Sequence, residues 1–210
     1  MTKKIEDIVE RAKQVADLQN SNYISDKEIE FLLNESYDKV YADLINIGDR
    51  YFLKTFVGSG HDIALPEDFM VLNAVIVKDI PLLRKPNNIN ANSNYGGYYD
   101  LNQDHIHILG STFGPATIEY YPVPEQIVWP IVYPDDGEDF EPITDLTLPN
   151  NVAFTYFSYV MAMKMKMKQG ADITLIQALA AEQLELYIQL QHRDGFGVTR
   201  VTNVYNGGLF

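Results

Sequence analysis

The chain of 210 residues has no cysteine and a single tryptophan. Without thiols there is no disulfide framework and no thiolate chemistry. No uninterrupted apolar run approaches the length needed to cross a membrane. The opening M-T-K-K-I-E-D-I-V-E is charged and has no apolar h-region, so neither a signal peptide nor a membrane partner is expected. A G-x-S-x-G nucleophile elbow is missing. So is a phosphate loop, because Gly195-Phe196-Gly197 lacks the third glycine, the lysine and a following helix. No internal repeat is present.

Positive charge is absent from one long stretch. Pro86 to Met163 contains no Lys or Arg but ten acidic residues, within a chain of net charge −13. Such a segment binds phosphates poorly, since affinity for nucleic acid depends on cations that neutralise the backbone. It suits solubility, a surface that DNA slides past, or a surface that meets a basic partner.

An apolar fraction of 46% is enough for a core in one domain, or in one domain with an insertion. Residues 4–19 carry Ile5, Ile8, Val9, Ala12, Val15, Ala16 and Leu18 at helical spacing. Ser25 to Glu28 reads as a capping box. It opens a second helix, with Ile29, Leu32, Leu33, Tyr37, Val40, Tyr41 and Leu44 on one stripe, and Gly48 closes it. Near the other end, Asn150 or Asn151 caps a third helix and Gly170 ends it. Asp172 caps a fourth, in which Ile173, Ile176, Ala180, Leu184, Tyr187 and Gln191 step at helical spacing beside Leu175, Leu179, Leu186 and Leu190. That stripe is wide enough for packing on more than one side. The short turn makes the last two helices antiparallel.

The middle of the chain reads as extended. Tyr51–Val57, Asp62–Leu65, Val71–Lys78 and Pro81–Arg84 are expected strands, and Pro66–Phe69 a single helical turn. His105–Leu109 and Ala116–Tyr121 are expected to form a hairpin. The fold class is therefore α+β: a four-helix body from 1–50 and 146–194, with an inserted β-rich region at 51–145. That region includes an acidic, proline-rich loop at 122–149, and an extended tail at 195–210 follows the body.

Catalytic and metal signatures are thin. Ser59, His61 and Asp62 are adjacent on a turn, whereas a relay needs residues that meet through the fold. His105 and His107 lie two apart on a strand beside Asp104, a spacing that can serve a metal. Asp135, Asp136, Glu138 and Asp139 could gather around calcium, although the register differs from D-x-D-x-D-G. Met161, Met163, Met165 and Met167 read as adaptable core or interface filling. No cofactor and no enzymatic activity are expected.

Four phrases in order carry a resemblance. N-E-S-Y-D-K-V-Y-A-D-L (Asn34–Leu44) comes first, then I-A-L-P-E-D-F-M-V-L-N-A-V (Ile63–Val75). I-H-I-L-G-S-T-F-G-P-A-T-I-E-Y-Y-P-V-P (Ile106–Pro124) follows, and L-T-L-P-N-N-V-A-F-T-Y-F-S-Y (Leu146–Tyr159) leads into the last helix pair. This layout, across roughly residues 5–194, resembles the head-to-tail connector, or adaptor, proteins of short-tailed bacteriophages. The length and acidity of Pro122–Pro149 depart from it. The resemblance implies four helices with an inserted β region, assembled as a ring, usually dodecameric, at the virion neck after synthesis in the host cytoplasm. Partners would be further copies of the chain, the portal protein, downstream tail or second-ring proteins, and double-stranded DNA that passes without sequence-specific binding. In that setting Trp129, Ile131, Val132 and Tyr133 are candidate interface anchors. Phe196, Val198, Val201, Val204, Tyr205 and Phe210 form a tail that could add a strand to a neighbour. The alternatives are another tail-associated module, docking fibres or binding glycans through the β region, and an unrecognised enzyme.

Overall fold

The structure, a computed structural model, describes residues 1–19, 23–85, 97–109, 114–130 and 145–193. In chain order its elements are β1 (Thr2–Lys4), α1 (Ile5–Val15), α2 (Asp26–Asn46), β2 (Lys54–Gly58), β3 (Asp62–Ala64), β4 (Phe69–Val77), β5 (Ile80–Pro81), β6 (Leu83–Arg84), β7 (Tyr98–Leu101), β8 (His105–Leu109), β9 (Ala116–Pro122), β10 (Asp145–Thr147), α3 (Asn151–Lys168) and α4 (Thr174–Arg193). The class is α+β, as expected. The described residues form two compact units, Met1–Tyr51 with Pro124 onward, and Phe52–Val123.

The first unit is helical. α3 is its centre, with α1, α2 and α4 all packed against it. That position explains why its buried residues circle the helix: Ala153, Phe154, Tyr156, Phe157, Val160, Met161, Ala162 and Met165 leave only a narrow strip toward water. Local chemistry sets its ends. The Asn150 side chain accepts from the amides of Val152 and Ala153 at 2.9 and 3.0 Å, and Gly170 adopts φ +67° just past the last turn. Asp172 accepts from the Thr174 amide at 2.9 Å as α4 begins. α2 opens as its capping box predicts, with the Ser25 amide and hydroxyl both donating to Glu28 Oε2 at 2.9 Å.

A two-stranded ribbon joins distant parts of this unit, β1 pairing antiparallel with β10 so that Thr2 faces Thr147 and Lys4 faces Asp145. No strand is expected from the sequence at either place. Residues 124–130, grouped there with the inserted region, belong to the helical unit. The cause is Asn34 on α2. Its amide nitrogen donates to the Ile127 carbonyl at 2.7 Å, and its oxygen accepts the Ile127 N–H at 2.8 Å. The side chain thus pairs with a backbone as a strand would, and Ile127 is buried.

The second unit is a sandwich of two four-stranded sheets, ordered β2-β9-β4-β5 and β3-β8-β7-β6. Val75, Val77, Ala116 and Ile118 of one sheet meet Ile63, Tyr99, Ile106 and Ile108 of the other. Three expectations are corrected here. β8 and β9 form no hairpin but lie in opposite sheets, because each buries an alternating apolar row that the other covers face to face. Pro66–Phe69 is a tight turn, with the Phe69 N–H donating to the Pro66 carbonyl at 3.0 Å, and Phe69 enters β4 at once. The stretch expected as one strand at Pro81–Arg84 divides at buried Leu82 into β5 and β6, one in each sheet.

Candidate interaction surfaces

Three of the four histidines, His61, His105 and His107, belong to the sandwich unit. On β8, Ile106 and Ile108 point inward, so His105 and His107 share the other face, as their spacing predicts. In register, His107 stands between Asp62 of β3 and Asp100 of β7. Its Nδ1 lies 2.6 Å from Asp62 Oδ1, and that bond, before any other cause, holds the Asp62 carboxyl below its ordinary value. His105 is engaged by its own neighbours, with Nδ1 at 2.7 Å from Asp104 and Nε2 at 3.0 Å from Asn102. His61 meets the Ile108 carbonyl at 3.0 Å. Each histidine therefore faces a separate partner. Among the described residues no three His, Asp or Glu side chains converge on one metal position. Asp62 pairs with His107 rather than its neighbour His61, so the Ser59-His61-Asp62 run is no relay. The acidic candidates Asp135, Asp136, Glu138 and Asp139 lie outside the described residues.

Of the candidate interface anchors, Trp129 is half-buried, and its ring N–H is shielded from water with no partner among the described residues. Two residues earlier the chain is clamped to the helical unit at Ile127. Ile131, Val132, Tyr133 and the tail residues Phe196, Val198, Val201, Val204, Tyr205 and Phe210 lie outside the described residues.

A surface that sequence reasoning did not single out lies on α4. This helix buries Ile176, Ala180 and Tyr187, and among the described residues α3 is its principal neighbouring element. Leu175 is 73% exposed and Leu186 41% exposed. From Ala171 to Gln191 the only charges are Asp172, Glu182 and Glu185. Phe31 of α2 and Met167 of α3 are also exposed, at 62% and 57%. The signal was present in the sequence as an apolar arc broader than one neighbour can cover.

Behind this surface the helices are tied by polar contacts at their margins. Lys164 bonds Glu35 at 2.9 Å, Lys168 pairs with Glu28, and Tyr156 donates to Asp43 at 2.5 Å. Asp43 also holds Lys39. Burial pushes the Tyr37 phenol up to about 12, with Glu125 and Asp38 adding to the effect. Such ties join α2 to α3, the helix on which α4 packs, and chemically the α4 surface offers apolar contact rather than reactive groups.

The quoted phrases meet in pairs. Asn34–Leu44 packs on Leu146–Tyr159 through Tyr37 with Phe157, ring centroids 6.2 Å apart, and Asp43 with Tyr156. Ile63–Val75 pairs with Ile106–Pro124, Phe69 stacking on Tyr120 at 5.8 Å while the Tyr120 hydroxyl donates to Asp68 at 2.9 Å. No helix among the described residues is long and apolar enough to cross a membrane. No family model matches the chain, and no curated protein matches it in sequence.

Proposed function

We propose that the chain is a structural virion protein of a tailed bacteriophage, a connector that assembles as a ring with copies of itself between the portal and the tail. The observation that carries this reading is the order of its parts, a helix pair, an inserted β unit and a second helix pair, with the four phrases in the connector layout. Two features support it. Among the described residues α4 presents Leu175 and Leu186 as exposed apolar side chains, which suits a copy-to-copy contact. A net charge of −13 suits a channel wall along which DNA slides without adhering. The ring would close the vertex after packaging, let the genome leave and give tail parts a docking surface.

Electron microscopy of the chain mixed with its portal protein tests the proposal. A closed ring stacked coaxially on the portal is expected. Leu175→Glu combined with Leu186→Glu should leave the chain folded by circular dichroism yet abolish the ring. Density for the chain elsewhere on the particle, with no portal binding, would move the assignment to a fibre-docking or glycan-binding tail module.

A further inference from the structure

The edges of the two sandwich sheets are not alike. β3 spans three residues, and β5 and β6 two each, so they offer little backbone to a further strand. β2 spans five, Lys54–Gly58, contains no proline, and among the described strands pairs with β9 alone. Its residues bond β9 alternately, so every second N–H and C=O points away from the sheet. Charged side chains, lysine above all, commonly guard such an edge. Here Lys54 is the only charge, it stands at one end, and its ammonium bonds Asp68 at 2.8 Å. Toward the other end Val57 is 68% exposed.

We propose that this edge receives the chain's own C-terminal segment, Val201–Tyr205, as a further strand parallel to β2. The chain leaves the described residues near the segment that leads into β2. α4 ends at Arg193, and the Gln191 side chain lies 3.4 Å from Asp49 Oδ2. Asp49 to Lys54 is five residues, at most about 18 Å, whereas Arg193 to Val201 is eight, up to about 29 Å, so the tail is long enough. Entering at Lys54 and running toward Gly58 sets the parallel direction. The composition suits a strand: Val201, Thr202 and Val204 are β-branched, Tyr205 is aromatic, and Asn206-Gly207-Gly208 supplies a stop. From Gly195 to Phe210 the only charge is Arg200, so the segment meets no repulsion from a chain of net charge −13. Its own tail has the advantage over a neighbour's, because a tethered segment is present at an effective concentration on the order of millimolar. Once covered, the edge is closed to strands from other chains. The inference does not depend on ring formation.

The chain has no cysteine, so introduced thiols report unambiguously. Val57→Cys is combined in turn with Asn203→Cys, Val204→Cys and Tyr205→Cys, and a short bismaleimide is added to a mixture of isotope-labelled and unlabelled protein at low concentration. Mass spectrometry should find cross-links within single molecules. Ile80→Cys, on β5 at the opposite edge of the sheet, should give none with the same tail positions. Deleting residues 195–210 should speed hydrogen exchange about tenfold at alternate amides of β2, each having lost one hydrogen bond, and leave β9 protected. Thr202→Pro with Asn203→Pro, which removes whichever of two successive N–H groups faces β2, should act like the deletion. Cross-links that join labelled to unlabelled molecules overturn the proposal and assign the edge to a neighbour's tail. Absence of cross-links, with exchange at β2 unaltered by the deletion, also overturns it. Neither readout involves the portal, so failure here is separate from failure of the connector reading.

Discussion

The phenol of Tyr187, fully buried on α4, donates to the carboxylate of Asp49, a residue 138 positions earlier that is itself 5% exposed. The Tyr51 amide donates to the other Asp49 oxygen at 2.8 Å, and Gln191 donates to the Tyr187 hydroxyl at 2.9 Å. A buried carboxylate is tolerated only when hydrogen bonds hold its charge, so this cluster fixes the C-terminal half of α4 to the turn after α2. Tyr187→Phe removes one donor and leaves the charge in place. It should cost roughly 1.5–3 kcal/mol in urea unfolding. Asp49→Asn should cost less, and the double variant should be less than additive. An unchanged urea midpoint for Tyr187→Phe would contradict the role assigned to this bond.

The same cluster sets an alkaline limit. Burial first, and the Asp49 carboxylate second, push the Tyr187 phenol above its ordinary value, and Tyr156 is raised in the same way by burial and Asp43. A raised phenol favours the protonated form in the folded state. Its contribution is therefore fully present below the unfolded value of about 10 and declines as pH rises beyond it. Thermal melts between neutral pH and strongly alkaline pH should show Tm falling once that value is passed, and less steeply in Tyr187→Phe. Parallel slopes in the two proteins would exclude Tyr187 as a source.

How much of this was legible in sequence follows from the range of each signal. The Ser25–Glu28 capping box, the Asn150 cap and Gly170 act within a few residues, and each was readable as spacing. The shared face of His105 and His107 follows from the two-residue period of a strand. The pairing of strands does not. Two alternating runs, β8 and β9, look the same whether they lie side by side or face each other across a sandwich, and only the whole set of strands decides. β1 is the polar run Thr-Lys-Lys, paired with residues more than 140 positions away, and no local pattern marks it. The Asn34 clamp on Ile127 was equally silent, because one asparagine in a helix has no periodic signature.

Glu28 should titrate near the acid extreme. Lys168 first, and the Ser25 amide and hydroxyl next, hold its carboxyl down from 4.5 to about 2. A depressed carboxyl stabilises the fold above its unfolded value, and that contribution is lost as pH falls through the folded one. The window is therefore 4.5 down to about 2. An NMR titration of the Glu28 carboxyl should place its midpoint near the lower end. Glu28→Gln should flatten the stability profile across the window, and a midpoint at the ordinary value would show that the cap and the Lys168 pair do not hold in solution.

Asn34→Ala tests what anchors the start of the acidic segment. The substitution leaves the N–H and C=O of buried Ile127 without partners, which should cost about 1–3 kcal/mol. Hydrogen exchange should rise at Ile127 and its neighbours while α3 stays protected. Uniform loosening of the whole helical unit would instead show that Asn34 acts through α2 packing.

Two backbone positions in the sandwich should respond with opposite signs. Gly58 ends β2 where the chain turns toward β3 in the other sheet, and a Cβ there would collide with the side chain of Ile63. Gly58→Ala should therefore cost roughly 1–3 kcal/mol, and that cost should shrink in an Ile63→Ala background, where Cγ2, the atom nearest the added Cβ, is gone. At the β4–β5 turn the opposite holds. Lys78 and Asp79 adopt φ +52° and +63°, a left-handed pair that suits glycine and asparagine. Asp79→Gly should relieve the contact between Cβ and the carbonyl oxygen and stabilise the unit by about 1 kcal/mol. Urea unfolding followed at the sandwich aromatics reads both. If Gly58→Ala were neutral, the close approach of Gly58 to Ile63 would not exist in solution. If Asp79→Gly were destabilising, the aspartate side chain would be holding the turn, and the left-handed backbone would not be the dominant cost at that position.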